Sequence, residues 1–282
     1  MKVLVTGATG FIGRHVVLRL LEKGHSVIAV ARRAEVANSL DWPDTVTFVQ
    51  CDIHDPDLNV DIFAGADVIV HLAWPGLPNY DAPYHFEKTL PADYRFLKKL
   101  IDANHKHLLI SGTCFEYGMQ DGCLTETMYP RPGNAYALAK DSLHKYLDEL
   151  KKSSPFMLQW ARLFYTYGAG QNSKSLLAQL DGAIRSGEKF FNMSPGEQLR
   201  DYLPVEKVAE LLVMLLENPE CDGTVNVCSG APISIRRLVE DYIFNKGANI
   251  KPCFGYYPYS KYEPMAFWGD NQKLKILAEK YE

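Results

Sequence analysis

The segment Thr6-Gly-Ala-Thr-Gly-Phe-Ile-Gly13 follows directly on the apolar run Val3-Leu-Val5, and this junction constrains the fold more than any other stretch of the chain. A short apolar strand that turns at once into a helix through three spaced glycines leaves few architectures open. Glycine at position 7 permits a tight turn. Glycine at 10 removes a side chain where phosphates approach the backbone, and glycine at 13 lets the helix pack closely on the strand, with the phosphates at its N-terminus. In isolation such a turn is equally an ordinary strand-to-helix connection. Its place after the first strand and at the opening of the first helix is what points to a bound nucleotide.

The rest of the chain agrees with that start. Val27–Val30, Thr47–Gln50, Asp67–His71, His107–Ser111 and Phe156–Arg162 read as further strands. Helix-like segments run from Gly13 to Lys23, through Tyr94–Ile101, and from Tyr136 to about Lys151. Short apolar strands alternating with helices indicate an α/β fold: a Rossmann-type doubly wound parallel sheet covered on both faces. From about Thr166 the composition turns loop-rich, with a helix at Val205–Glu217, a strand at Thr224–Cys228 and a helix at Ser234–Glu240 whose N-cap is Ser234. Two parts are expected. Residues 1–165, joined by the 205–217 helix, bind the nucleotide, and residues 166–282 form a smaller, partly interleaved substrate-binding region over the carboxyl ends of the strands.

Composition narrows the function classes. The 282 residues carry a formal net charge of −4, with 23% charged side chains. That balance gives no reason to expect nucleic acid or an anionic membrane as partner. No apolar run approaches the ~20 residues of a membrane span. The chain opens in a strand without a charged leader, and its six cysteines form no Cys-x-x-Cys, so a cytoplasmic protein with reduced thiols is expected. His105-Lys-His107 has no arranged Cys or carboxylate nearby and reads as a turn, so no metal is expected.

Tyr136 and Lys140 lie four apart in a run of helix formers and leave one helix face a turn apart. An ammonium beside a phenol lowers its pKa from about 10, which makes it an acid or base near neutrality. Pairs of this spacing also occur on plain surface helices, so the pair gains meaning only from its surroundings. The cofactor is chosen at the end of the second strand. A sheet that binds NAD places an acid there for the ribose 2′-hydroxyl, but this chain has Ala31-Arg32-Arg33. Two guanidiniums suit a 2′-phosphate, so NADP(H) is expected. Asp52 and Ile53 are placed to meet the adenine, and Leu72 and Ala73 to line the cofactor groove.

The pattern resembles the extended short-chain dehydrogenase/reductases, the NAD-dependent epimerase/dehydratase family that acts on nucleotide sugars. The pieces that carry the resemblance are Thr6–Gly13, His71-Leu-Ala73, Ile110–Gly118, Tyr136-x-x-x-Lys140, Arg162–Gly168 and Arg200-Asp-Tyr202, spread over essentially the whole chain. It implies a catalytic set of Thr113, Tyr136 and Lys140. Tyr136 would transfer the proton, Lys140 would lower its pKa and hold the nicotinamide ribose, and Thr113 would orient the substrate oxygen. It further implies that Thr6, Gly7, Gly10, Phe11, Ile12 and Gly13 cradle the cofactor and that Arg200 holds a diphosphate. Tyr165 stands where the family commonly has Asn, and a second arginine is missing from Glu263–Asp270. Trp74, Tyr80 and Tyr84 lie in a Pro-rich loop after the fourth strand, where either substrate stacking or core packing would suit them.

Members that dehydrate sugars follow the Thr with Asp-Glu; this chain has Cys114-Phe115, and Glu116 is expected to face elsewhere because side chains alternate along an extended segment. The resemblance then favours NADPH-dependent reduction of a nucleotide-linked 4-keto-6-deoxyhexose by a homodimer. Leu143, Tyr146, Leu147 and Leu150 offer an apolar stripe for dimerisation or for the sheet. Two other readings stay open: an NAD-retaining nucleotide-sugar 4-epimerase, and a non-catalytic NADP-sensing regulator.

Overall fold

A computed structural model describes residues 1–259 and 264–280. Seven strands pair in one parallel sheet: β1 (Lys2–Thr6), β2 (Ser26–Ala31), β3 (Val46–Gln50), β4 (Val68–His71), β5 (His107–Thr113), β6 (Met157–Leu163) and β7 (Gly223–Val227). Their order across the sheet is β7-β6-β5-β4-β1-β2-β3. The strand order reverses between β1 and β4, the switch point outside which such sheets hold ligands. The 224–228 strand, assigned from the sequence to the smaller region, is instead the edge of the main sheet, where Val225 and Val227 are buried beside β6.

Helices cover both faces. On one side lie α1 (Phe11–Glu22), α6 (Val205–Leu216) and α8 (Gln272–Glu279), whose Val16, Leu20, Leu212, Leu216, Leu274 and Leu277 pack on Val3, Val5 and Val70. The other face carries α3 (Leu90–Asp102) and α4 (Ala135–Ser153) over Leu4, Ile69, Leu108 and Trp160. Helix α3 begins four residues before the expected Tyr94, because Pro91 suits a first helical turn. Helix α1 starts at Phe11 because Gly10 is extended, at φ −73° and ψ 176°, and serves as its N-cap. The stripe on α4 divides. Leu143 and Leu147 are fully buried against the sheet, each contributing about 2 kcal/mol of burial, while Tyr146 stays half exposed.

The smaller region has its own core. Helices α5 (Leu176–Arg185) and α7 (Ile235–Asn245) enclose Leu177, Leu180, Phe191, Leu238 and Val239. Ser234 caps α7 as expected, its hydroxyl accepting from the Arg237 N–H. His105 and His107 are held by the Ala66 carbonyl at 3.2 Å and the Gln159 amide at 2.9 Å. No helix among the described residues is long and apolar enough to cross a membrane.

Candidate active site

A cleft of about 930 Å³ opens along the carboxyl ends of the strands and continues under the smaller region. At one end the glycine turn forms its floor. Gly7 has φ +67°, and a Cβ there would lie 2.9 Å from the Ala73 nitrogen. A Cβ on Gly13 would lie 2.1 Å from the Gly7 carbonyl oxygen, so α1 seats its first turn directly on the loop. These close backbone approaches leave the free N–H groups of α1 facing the cleft, an arrangement that suits a diphosphate. Gly7, Gly10, Phe11, Ile12 and Gly13 line it, as do Arg32 and Arg33, both exposed, and Asp52, Ile53, Leu72 and Ala73. Thr6 does not. It is fully buried, with its hydroxyl 2.9 Å from His71 Nδ1.

At the centre, β5 delivers Thr113 and the first turn of α4 delivers Tyr136. Both side chains line the cleft, and the Thr113 hydroxyl acts on the Tyr136 phenol. Thr113 is fixed from three sides: its N–H donates to Glu116 at 2.8 Å, its hydroxyl accepts from the Phe115 N–H at 3.3 Å, and it ends β5. Asn134 caps α4 by accepting from the Ala137 N–H, and the Tyr136 N–H donates to the Tyr80 carbonyl at 2.9 Å. Glu116 turns away from the cleft as expected, but for another reason: residues 114–117 form a 3₁₀ turn, not an extended segment, and Glu116 closes a capping box with Thr113. It accepts from Arg162 at 2.7 Å and Trp160 at 3.0 Å, and burial pushes its carboxyl above the usual range.

Lys140 departs from expectation. It is buried, it is not part of the cleft lining, and its Nζ lies 4.1 Å from the centroid of the Trp74 ring. The Tyr136 phenol is not lowered either. Burial, then the charge of Glu116, raise it, and the Thr113 hydroxyl opposes them. The phenol is therefore held protonated, able to donate. The sequence offered no local sign that Trp74 would separate Lys140 from the cleft; it packs edge-on to Tyr136 at 5.7 Å and stacks on His85, to which its indole N–H donates at 3.0 Å. Trp74 and Tyr80 line the cleft. Tyr84 instead donates to the Gly76 carbonyl at 2.7 Å and shapes the loop.

The far end is aromatic. Phe115 packs on Tyr80 at 5.1 Å and on Tyr165 at 6.1 Å, and Tyr165 packs on Tyr202 at 5.1 Å. Arg200 lines this end with its guanidinium 4.6 Å from the Phe267 ring and one nitrogen donating to the Leu199 carbonyl at 2.8 Å. The 171–175 loop, Ser194 and Gln198 complete the wall and carried no recognisable sequence signal. Glu263, which opens the stretch lacking the second arginine, lies outside the described residues.

The sheet order, the glycine floor and a Thr–Tyr hydroxyl pair at the switch point define a nucleotide-binding oxidoreductase-type scaffold. The model of the NAD dependent epimerase/dehydratase family matches residues 3–228, and the chain belongs to that family. Among its relatives is a dTDP-6-deoxy-L-talose 4-dehydrogenase (NAD(+)) of Aggregatibacter actinomycetemcomitans, 29% identical over 95% of this chain and 99% of the relative. A UDP-glucose 4-epimerase of Halalkalibacterium halodurans is 26% identical over 85% of this chain and 79% of the relative. Among solved structures, MoeE5 in complex with UDP-glucuronic acid and NAD superposes with a TM-score of 0.83, at 26% identity, covering 98% of this chain and 92% of the other.

Proposed function

We propose that the chain is an NADPH-dependent reductase of a nucleotide-linked 4-keto-6-deoxy sugar. The observation that carries this reading is the Thr113–Tyr136 hydroxyl pair at the centre of the cleft, with the phenol held protonated. The cofactor supplies the hydride. Reduction of a carbonyl builds negative charge on its oxygen, and Tyr136 is placed to give that oxygen a proton while Thr113 orients it. Dehydration has no equipment here: Cys114 and Phe115 line the cleft where an acid and a base would be needed, and Glu116 is committed to Trp160 and Arg162.

The 6-deoxy preference is supported by the packed wall of Tyr80, Phe115 and Tyr165, whose ring faces offer a methyl group apolar contact. The 6-deoxy sugar in the name of the 4-dehydrogenase relative agrees with that wall. Arg32 and Arg33, with no carboxylate at the end of β2, support NADPH. Arg200 would hold the diphosphate of the substrate. Homodimerisation through α4 and a cytoplasmic location belong to the same proposal.

A second reading is favoured by the epimerase relative and by the NAD in the solved neighbour: a 4-epimerase that retains NAD. One assay separates them. The purified protein is given NADPH with dTDP-, CDP-, GDP- and UDP-linked 4-keto-6-deoxy sugars, and nicotinamide absorbance is followed. Oxidation with one of them is the expected result; no oxidation with any, together with interconversion of two nucleotide sugars without added cofactor, replaces the reductase by the epimerase.

A further inference from the structure

Behind the cleft lies a cluster of titratable groups that the reaction above does not use. Asp93, on α3, is completely buried. One of its oxygens accepts from His54 Nε2 at 2.6 Å and the other lies 3.5 Å from His71 Nε2. His71 in turn holds the Thr6 hydroxyl, at the threshold of the glycine turn, and His54 lines the cleft just beyond β3. Helix α4 packs against α3, and its Lys140 ammonium is likewise buried, with no hydrogen-bond partner among the described residues. A charge in that position needs an opposite one, because an isolated buried ion is costly.

Two anions act on Lys140: Asp93 from α3 and Glu116 from the turn after β5. The Trp74 ring lies against it with His85 behind, while His71 from β4 and His54 from the exit of β3 flank Asp93. On α4 itself, Asp141 is paired to Lys145 at 2.6 Å and His144 stacks on Trp160. Glu116 already has the Arg162 guanidinium at 2.7 Å, so that pair sums to zero. Among the described residues, the direct partners of Asp93 are the imidazoles of His54 and His71. Its negative charge is the one left to balance Lys140.

We propose that Asp93 is a positioning residue of the Tyr136–Lys140 site, whose carboxylate is the buried counter-charge that keeps Lys140 cationic while His54 and His71 fasten it to the exit of β3 and to the glycine turn. The inference rests on the assignment of Tyr136 and Lys140 as the reacting pair. The electrostatics agree with the geometry. Burial draws Lys140 down to about 8, opposed by Asp93 and then Glu116. Burial acts to raise Asp93 too, yet His71, His54 and Lys140 together hold it at about 2. Lys140 is cationic below its folded value and loses its charge as pH rises through about 8. Removing the Asp93 charge takes away an anion that holds that value up, so the loss moves to lower pH.

The test uses the intact, ligand-free protein with ¹³C-labelled lysine, the Lys140 Cε resonance being assigned by its absence in Lys140→Met. In Asp93→Asn the Lys140 midpoint is expected about one pH unit below wild type, and Asp93→Glu is expected to restore most of that shift. An unchanged midpoint overturns the proposal. If Asp93→Asn does not fold, coupling is read from the other side, since it is reciprocal: the Asp93 carboxyl carbon should titrate at higher pH in Lys140→Met than in wild type, and equal midpoints overturn the proposal. With a turned-over substrate, the alkaline limb of kcat/KM should follow the lysine midpoint downward in Asp93→Asn. A wild-type protein that oxidises no NADPH defeats the reductase reading but leaves the lysine titration to decide this one.

Discussion

The two ends of the cleft are built by opposite means. The cofactor end is made of backbone: Gly13 against Gly7 and the first turn of α1, within a few residues of sequence, and Gly7 against Ala73 after β4. The sugar end is made of side chains from four separate segments, with Tyr80, Phe115, Tyr165 and the Arg200–Tyr202 stretch meeting only in the folded protein. A backbone surface tolerates no added atom, whereas an aromatic wall can repack. The first is therefore rigid and shared among nucleotides, and the second is adaptable and selects the substrate.

Four substitutions would break or sharpen this contrast. Tyr136→Phe, at the junction of the two ends, should lower turnover about 10³-fold while NADPH affinity and Tm stay near wild type; retained turnover removes it as proton donor. Gly13→Ala should be the most damaging change at the cofactor end, because its Cβ would meet the Gly7 oxygen at 2.1 Å. A loss of about 3 kcal/mol in denaturant unfolding is expected, with weaker nucleotide binding in calorimetry, and normal values for both would show that the turn can give way. Arg32→Ala should weaken NADPH about tenfold, the worth of one charge-assisted contact, and leave NADH unchanged. Equal effects on both would mean that Arg32 sits in solvent. Phe115→Leu should be the mildest, costing less than about 1.5 kcal/mol and altering the preference between 6-deoxy and 6-hydroxy sugars more than NADPH affinity. If it altered cofactor affinity more, the two ends would not be separable.

The same contrast explains what could be read before the structure. The alternation of strands and helices and the glycine turn follow from local patterns of period and spacing, and the structure has them where the sequence placed them, whereas Thr113 and Tyr136 were joined only by the family resemblance. Contacts between distant segments leave no such trace. Nothing near Lys140 announces that Trp74 will lie over it, and the strand at 223–227 has the same look whether it edges the main sheet or a smaller one. Asp93 was legible in principle. It stands on the apolar stripe of Leu90, Phe96, Leu97, Leu100 and Ile101, and a carboxylate on the buried face of an amphipathic helix asks for partners. The pKa of Tyr136 was misjudged for a physical reason: proximity of a cation was weighed, but burial was not, and burial is the larger effect.

The return of β7 and α6 to the first half of the chain governs how the protein can be made. A ribosome that has delivered residues 1–165 has delivered the glycine turn, Tyr136 and Lys140, yet β6 still offers an unpaired edge and α1 still lacks the helix that covers its apolar face. Vectorial synthesis cannot finish the nucleotide cradle first and the substrate cover afterwards. The sheet closes only when residue 227 has emerged, so the two ends of the cleft mature together.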